Sequence, residues 1–278
     1  ELAKRTVCAA NMSGMAKGFH TYANENEDDW PCVAHDTSVA IPPGQSYVTY
    51  TNVIQANIQL PPAVPPPTAV STTACLWMLV REGMSAPKSF YCPSSQDDPL
   101  EVDDPLTMAP ADPTLARNDF EEYNNVSYGY QIPYGDYARP TGGRDPRMPL
   151  AADKGRFGFE IEAGGDVAAV TTALNSLDPT QLDSMSADEW REFNAVNHGG
   201  AGDGEGQNAL YTDSHVEWAN KPTVGIAGDN LFTRFTVENA SDPTMKNRAK
   251  GLPPAAGANY APIDGQDTMI YPDRKSVV

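Results

Sequence analysis

The densest run of chemistry-bearing side chains is Asn197-His198-Gly199-Gly200-Ala201-Gly202-Asp203-Gly204-Glu205-Gly206-Gln207-Asn208, followed closely by Asp213 and His215. Imidazoles and carboxylates are zinc ligands and the acids and bases of hydrolysis, so His198, Asp213 and His215 raise a metal-dependent hydrolase. Zincin spacing is absent, however, and no Ser or Cys stands in a nucleophile elbow. A calcium loop is a second reading. Asp203, Glu205 and Asp213 are hard oxygen donors, and Gly202, Gly204 and Gly206 let the chain turn tightly enough to converge them. A purely structural glycine loop is the third, with His198 a buried histidine bonding backbone across a hairpin.

The elements around this run are short strands. Asn208 to Thr212 and His215 to Ala219 flank Asp213-Ser214, the spacing of a two-residue hairpin turn. Upstream, Tyr123 to Tyr137 is aromatic and glycine-broken, which predicts a strand or hairpin, and Met148 to Ala152 predicts another strand. Between 155 and 197 lies an insertion with its own helix: Ser186 and Glu189 form a capping box, and Trp190, Phe193 and Val196 share a face. Residues 96–118 are acidic and proline-rich, hence a surface loop. Lys88 to Pro93 reads as a short strand, and Val48 to Ile54 as another ahead of the polyproline-like run at 61–67. Leu76, Leu79 and Val80 mark a helix capped by Ser71, Thr72 or Thr73 and ended by Gly83.

The chain opens on a helix predicted from residue 1 to about 23. Cys8, Met12, Met15, Phe19 and Tyr22 recur at steps of four and three, forming one apolar stripe. Trp30-Pro31 closes it, because proline bars continuation. No N-cap precedes the stripe, so the expectation is a longer helix whose N-terminal part lies outside this sequence.

At 278 residues, with 40% hydrophobic residues, 22 glycines and 25 prolines, the chain is long enough for a sizeable core and rich in loops. A net charge of −18 disfavours nucleic acid and anionic lipid as partners and favours divalent cations. Its longest apolar run, Ala74 to Val80, is far short of the ~20 residues that span a bilayer. Cys8, Cys32, Cys75 and Cys92 allow three pairings, in an exported protein, or four buried thiols in a cytosolic one.

Taken in order, several blocks resemble one family. RTVCAANMSGMAKGFHTYANENEDDWP is similar to the exposed half of the long N-terminal helix of bacterial type IV pilin-like and type II secretion pseudopilin-like proteins. LWMLVREGMSAPKSFYCPSS, SYGYQIPYG, MPLAADKG and NHGG through GQNALYTDSHVEW resemble the branch marked by a C-terminal His followed by Asp-Gly, here His198 and Asp213. The interval between them is lengthened by the glycine-acidic insertion, and Ser214 replaces the glycine. At positive φ that serine costs ~1 kcal/mol.

The resemblance implies an α+β fold: a long N-terminal helix packed on a small antiparallel sheet with long loop insertions. Residues 1–30 would be the C-terminal half of the pilin-type helix, 31–239 a globular head, and 240–278 a loop-rich extension. It implies a structural subunit rather than an enzyme, located extracellularly or in the bacterial envelope. Its partners would be copies of itself in a helical filament, with prepilin peptidase and assembly machinery beforehand, and the inner membrane through an apolar half-helix. Cys8 would pair with Cys92, leaving Cys32 with Cys75; closing the first loop is worth ~4–5 kcal/mol. Relatives sometimes hold calcium near the acidic loop. The alternative is a secreted metal-dependent hydrolase or carbohydrate-binding module using His198, Asp213 and His215. For the tail, two roles stand side by side: Met269, Ile270 and Tyr271 against a neighbouring subunit, or against their own sheet.

Overall fold

The computed structural model describes residues 2–33, 72–101, 107–109, 112–116, 119–120, 123–133, 141–155, 168–199, 204–235, 248–251 and 262–271. The expected strand at 48–54, the polyproline run at 61–67, Ser71 and Asp203 lie outside them.

Helix α1 spans Leu2–Glu25 and buries Cys8, Met12, Met15, Phe19 and Tyr22, the stripe read from the sequence. It ends where Glu27 and Asp28 take positive φ and the Asp28 N–H returns to Ala23 O at 2.9 Å. Trp30 then folds back so that Phe19 stacks between Trp30 and Tyr130, with centroids 5.6 and 5.1 Å away. Helix α2, Thr72–Arg81, buries Leu76, Leu79 and Val80, and Gly83 at φ +70 closes it.

The sheet has five strands, all antiparallel, in the order β6-β5-β4-β3-β7. They are β3 Tyr128–Gln131, β4 Pro149–Asp153, β5 Gln207–Tyr211, β6 Val216–Ala219 and β7 Ile270–Tyr271. The sheet is covered on both faces. Leu210 joins the cluster built by α1 and α2, while its neighbours Ala209 and Tyr211 join a second cluster with Leu174, Leu182, Trp190 and Phe232, as the alternation of a strand requires. Three short helices feed this second layer: α3 Ala168–Ser176, α4 Pro179–Ser184 and α5 Ala187–Trp190. The Ser186 and Glu189 capping box opens α5, which buries Trp190.

Three expectations are corrected. Residues 87–90 form a 3-10 turn instead of a strand, since Pro87 opens it and Tyr91 N–H bonds back to Lys88 O. The 96–118 loop contains a small hairpin, β1 Thr107–Ala109 with β2 Asp112–Ala116. The β5–β6 turn has three residues, not two. Ser214 N–H bonds to Tyr211 O at 2.9 Å, Tyr211 N–H to His215 O at 3.0 Å, and Ser214 sits at φ 76, a turn followed by a left-handed residue. Of the two roles set out for the tail, its described part takes packing on its own sheet: β7 pairs with β3, and Met269 and Ile270 are fully buried. No helix among the described residues is long and apolar enough to cross a membrane.

Candidate functional site

Where α1 meets the sheet, four distant residues converge. Cys8 comes from the second turn of α1, Cys92 from the coil after the 3-10 turn, Asp153 from the end of β4, and His198 from the loop before β5. All four are fully buried, and one ligating atom from each lies within 4.8 Å of the others. The Nε2 of His198 is 3.7 Å from Cys92 Sγ and 3.5 Å from Asp153 Oδ2.

Each arm is braced by its element. His198 O accepts from Glu205 N–H at 2.7 Å, and His198 bridges to Gly206 across the loop, so the predicted cross-hairpin bond is made by the histidine backbone. Gly206 is required there: at φ +149, a Cβ would come within 2.3 Å of Ala219 O. Asp153 is held by Asn208 N–H at 2.6 Å and Asn197 Nδ2 at 3.1 Å, and Trp218 meets the His198 ring edge-on. Asn11 Nδ2 and Tyr128 Oη both donate to Tyr91 O, fixing the chain just ahead of Cys92.

The electrostatics follow from burial and crowding. The Cys92 thiol donates to Cys8, holding the Cys8 thiol down at about 5, and for the same reason Cys92 is pushed up. Burial raises Asp153 to about 6, opposed by His198. The site thus shares its protons among four buried groups within 4.8 Å of one another.

The other sequence candidates go elsewhere. Asp213 and His215 pair with each other on the exposed hairpin turn, where His215 lies opposite Tyr211, three residues and about 10 Å along β5 from Asn208. His198 and that pair therefore do not form one catalytic constellation. Glu205 is engaged by Arg5, which also lies over the Trp218 ring at 4.0 Å, and by Arg191 at 4.0 Å. With β5 between them, Glu205 and Asp213 do not converge on one cation. Cys8 and Cys92 are neighbours, and Cys75 Sγ accepts from Val33 N–H at 3.4 Å beside Cys32; all four are thiols in this structure.

No family model, curated protein or solved structure matches the chain. What the site can do is therefore argued from its geometry. Sequence reading missed Asp153, although it lies inside the block MPLAADKG. Nothing in local spacing joins positions 8, 92, 153 and 198; only the fold does.

Proposed function

We propose that this chain is the head of a pilin-like or pseudopilin-like subunit that acts by assembling with copies of itself at the bacterial cell surface or in the envelope. The supporting observation is the two-sidedness of α1. One side packs Cys8, Met12, Met15, Phe19 and Tyr22 into the head. The opposite side presents Ala3, Val7, Ala10, Gly14 and Lys17 to solvent at helical spacing, with Val7 48% and Leu2 76% exposed. A helix that binds its own sheet with one face and keeps an opposite face of mostly small side chains open around Lys17 suits lateral packing against other helices. An open, repeated contact of that kind generates a filament. In such a subunit, an apolar half-helix continuous with α1 would anchor it in the inner membrane before prepilin peptidase acts, and later form the filament core.

The test is substitution on the open face in the native, full-length protein. Val7→Glu with Ala10→Glu should leave the thermal midpoint of the head nearly unchanged, since surface changes cost within about 0.5 kcal/mol, while abolishing assembled material in the envelope fraction. Undiminished assembly by the double variant contradicts the proposal.

A further inference from the structure

We infer that Cys8, Cys92, Asp153 and His198 form a structural zinc site that staples α1 to the sheet. Both thiolates, one carboxylate oxygen and the imidazole Nε2 would be the four ligands. The inference goes beyond the assembly reading and stands independently of it.

The donor set comes first. Two cysteines, a histidine and an aspartate supply the sulfur, nitrogen and oxygen donors zinc takes, whereas calcium and magnesium require oxygen throughout. Geometry agrees. For bonds of about 2.3 Å to sulfur and 2.0–2.2 Å to nitrogen and oxygen, tetrahedral edges are about 3.5 Å from sulfur to nitrogen and about 3.3 Å from nitrogen to oxygen. The observed edges are 3.7 Å from Cys92 Sγ to His198 Nε2 and 3.5 Å from His198 Nε2 to Asp153 Oδ2, with every pair inside 4.8 Å. A contraction of a few tenths of an ångström would bring these edges to bonding distance from a common centre.

Burial distinguishes a structural from a catalytic site. All four ligands are at 0% exposure, so no open position faces solvent, and four protein ligands already complete a tetrahedron. The outer shell is in place. Asn197 and Asn208 orient the Asp153 carboxylate, and the Trp218 edge fixes the histidine ring. On binding, both sulfurs are thiolates, and whatever protons the four groups hold without the ion leave to solvent. Two thiolates and a carboxylate around a divalent ion leave one net negative charge, where the same acceptors without a cation must share protons.

The rival use of the same sulfurs is a Cys8–Cys92 disulfide, which removes both thiolates. Full-length protein should be prepared without chelator or reductant in medium containing zinc, then assayed for metal by plasma mass spectrometry and for thiols by alkylation and peptide mapping. One zinc per chain with Cys8 and Cys92 alkylated only after denaturation supports the site. An 8–92 disulfide, or well under one zinc per chain, overturns it. Replacing zinc with cobalt in the unmutated protein should give thiolate-to-cobalt charge transfer and the intense visible bands of a tetrahedral site; pale, octahedral-type spectra contradict it. Among variants that retain the folded circular dichroism spectrum, His198→Gln and Asp153→Asn should each weaken zinc affinity by at least tenfold, while Cys75→Ser should not. Equal affinity in all three would also overturn the assignment.

Discussion

Lys154 carries the clearest energetic consequence of any single side chain. Its ammonium is fully buried, 2.9 Å from Asp97 Oδ1, immediately after Asp153 at the end of β4. Removing one member of such a pair strands the other in low dielectric, so Lys154→Ala should lower unfolding free energy by about 3–5 kcal/mol in urea titrations. A loss under 1 kcal/mol would show that water or another group reaches Asp97. Ser214 gives a change of the opposite sign. At φ 76 it carries the strain expected of a serine in a left-handed turn position, and Ser214→Gly should raise stability by about 1 kcal/mol, read as a higher thermal midpoint. The serine was legible because turn chemistry is local. Asp153 was not, because a lone aspartate at a strand end acquires meaning only when α1 and the 198–206 loop close over it.

At the scale of elements, α1 and the β5–β6 hairpin were readable and the 87–90 turn was not. An amphipathic stripe of five large residues over four turns admits few alternatives, and burial of all five follows. Phe19→Ala should cost about 3–5 kcal/mol, since it empties the stack between Trp30 and Tyr130, whereas Leu2→Ala should change stability by less than 0.5 kcal/mol. Comparable losses for both would mean that the first turn of α1 packs on the head. Lys88 to Pro93 misled because a short apolar-aromatic run flanked by prolines has the same pattern as a strand. Pro87 at the start of the turn decides for 3-10 geometry. The Asp178 and Gln181 capping box with Pro179 marks the start of α4, but nothing local in the sequence shows that α3 and α4 build a second layer on the sheet. That layer exists because the sheet, buried on both faces, needs cover beyond α1 and α2.

For the molecule as a whole, the C-terminal segment closes the second layer and brings a buried acidic pair with it. Burial raises Asp267 to about 7 and pushes Asp229 well above the usual carboxylate range; Arg248 lies 3.7 Å from Asp229 and pairs with Asp264. Asp267 holds its proton more tightly folded than unfolded. Its contribution is therefore complete below the unfolded value near 3.9 and disappears as pH rises through about 7. The thermal midpoint should fall between about pH 4 and 7 and level off above that, and Asp267→Asn should flatten the fall; parallel profiles for the two proteins would remove the acid pair from the account. The −18 net charge acts in the same direction in both, so the difference isolates Asp267. Its sparse apolar residues concealed that the tail completes the sheet, since a two-residue strand leaves no period to read. Under the proposed assembly role, the head is repeated through the open face of α1. Negative-stain microscopy of native full-length protein released from the envelope tests this most directly. The account predicts filaments with regularly spaced heads, decorated along their length by antibody to this chain. Discrete single particles, with no filament carrying the antibody, would contradict it.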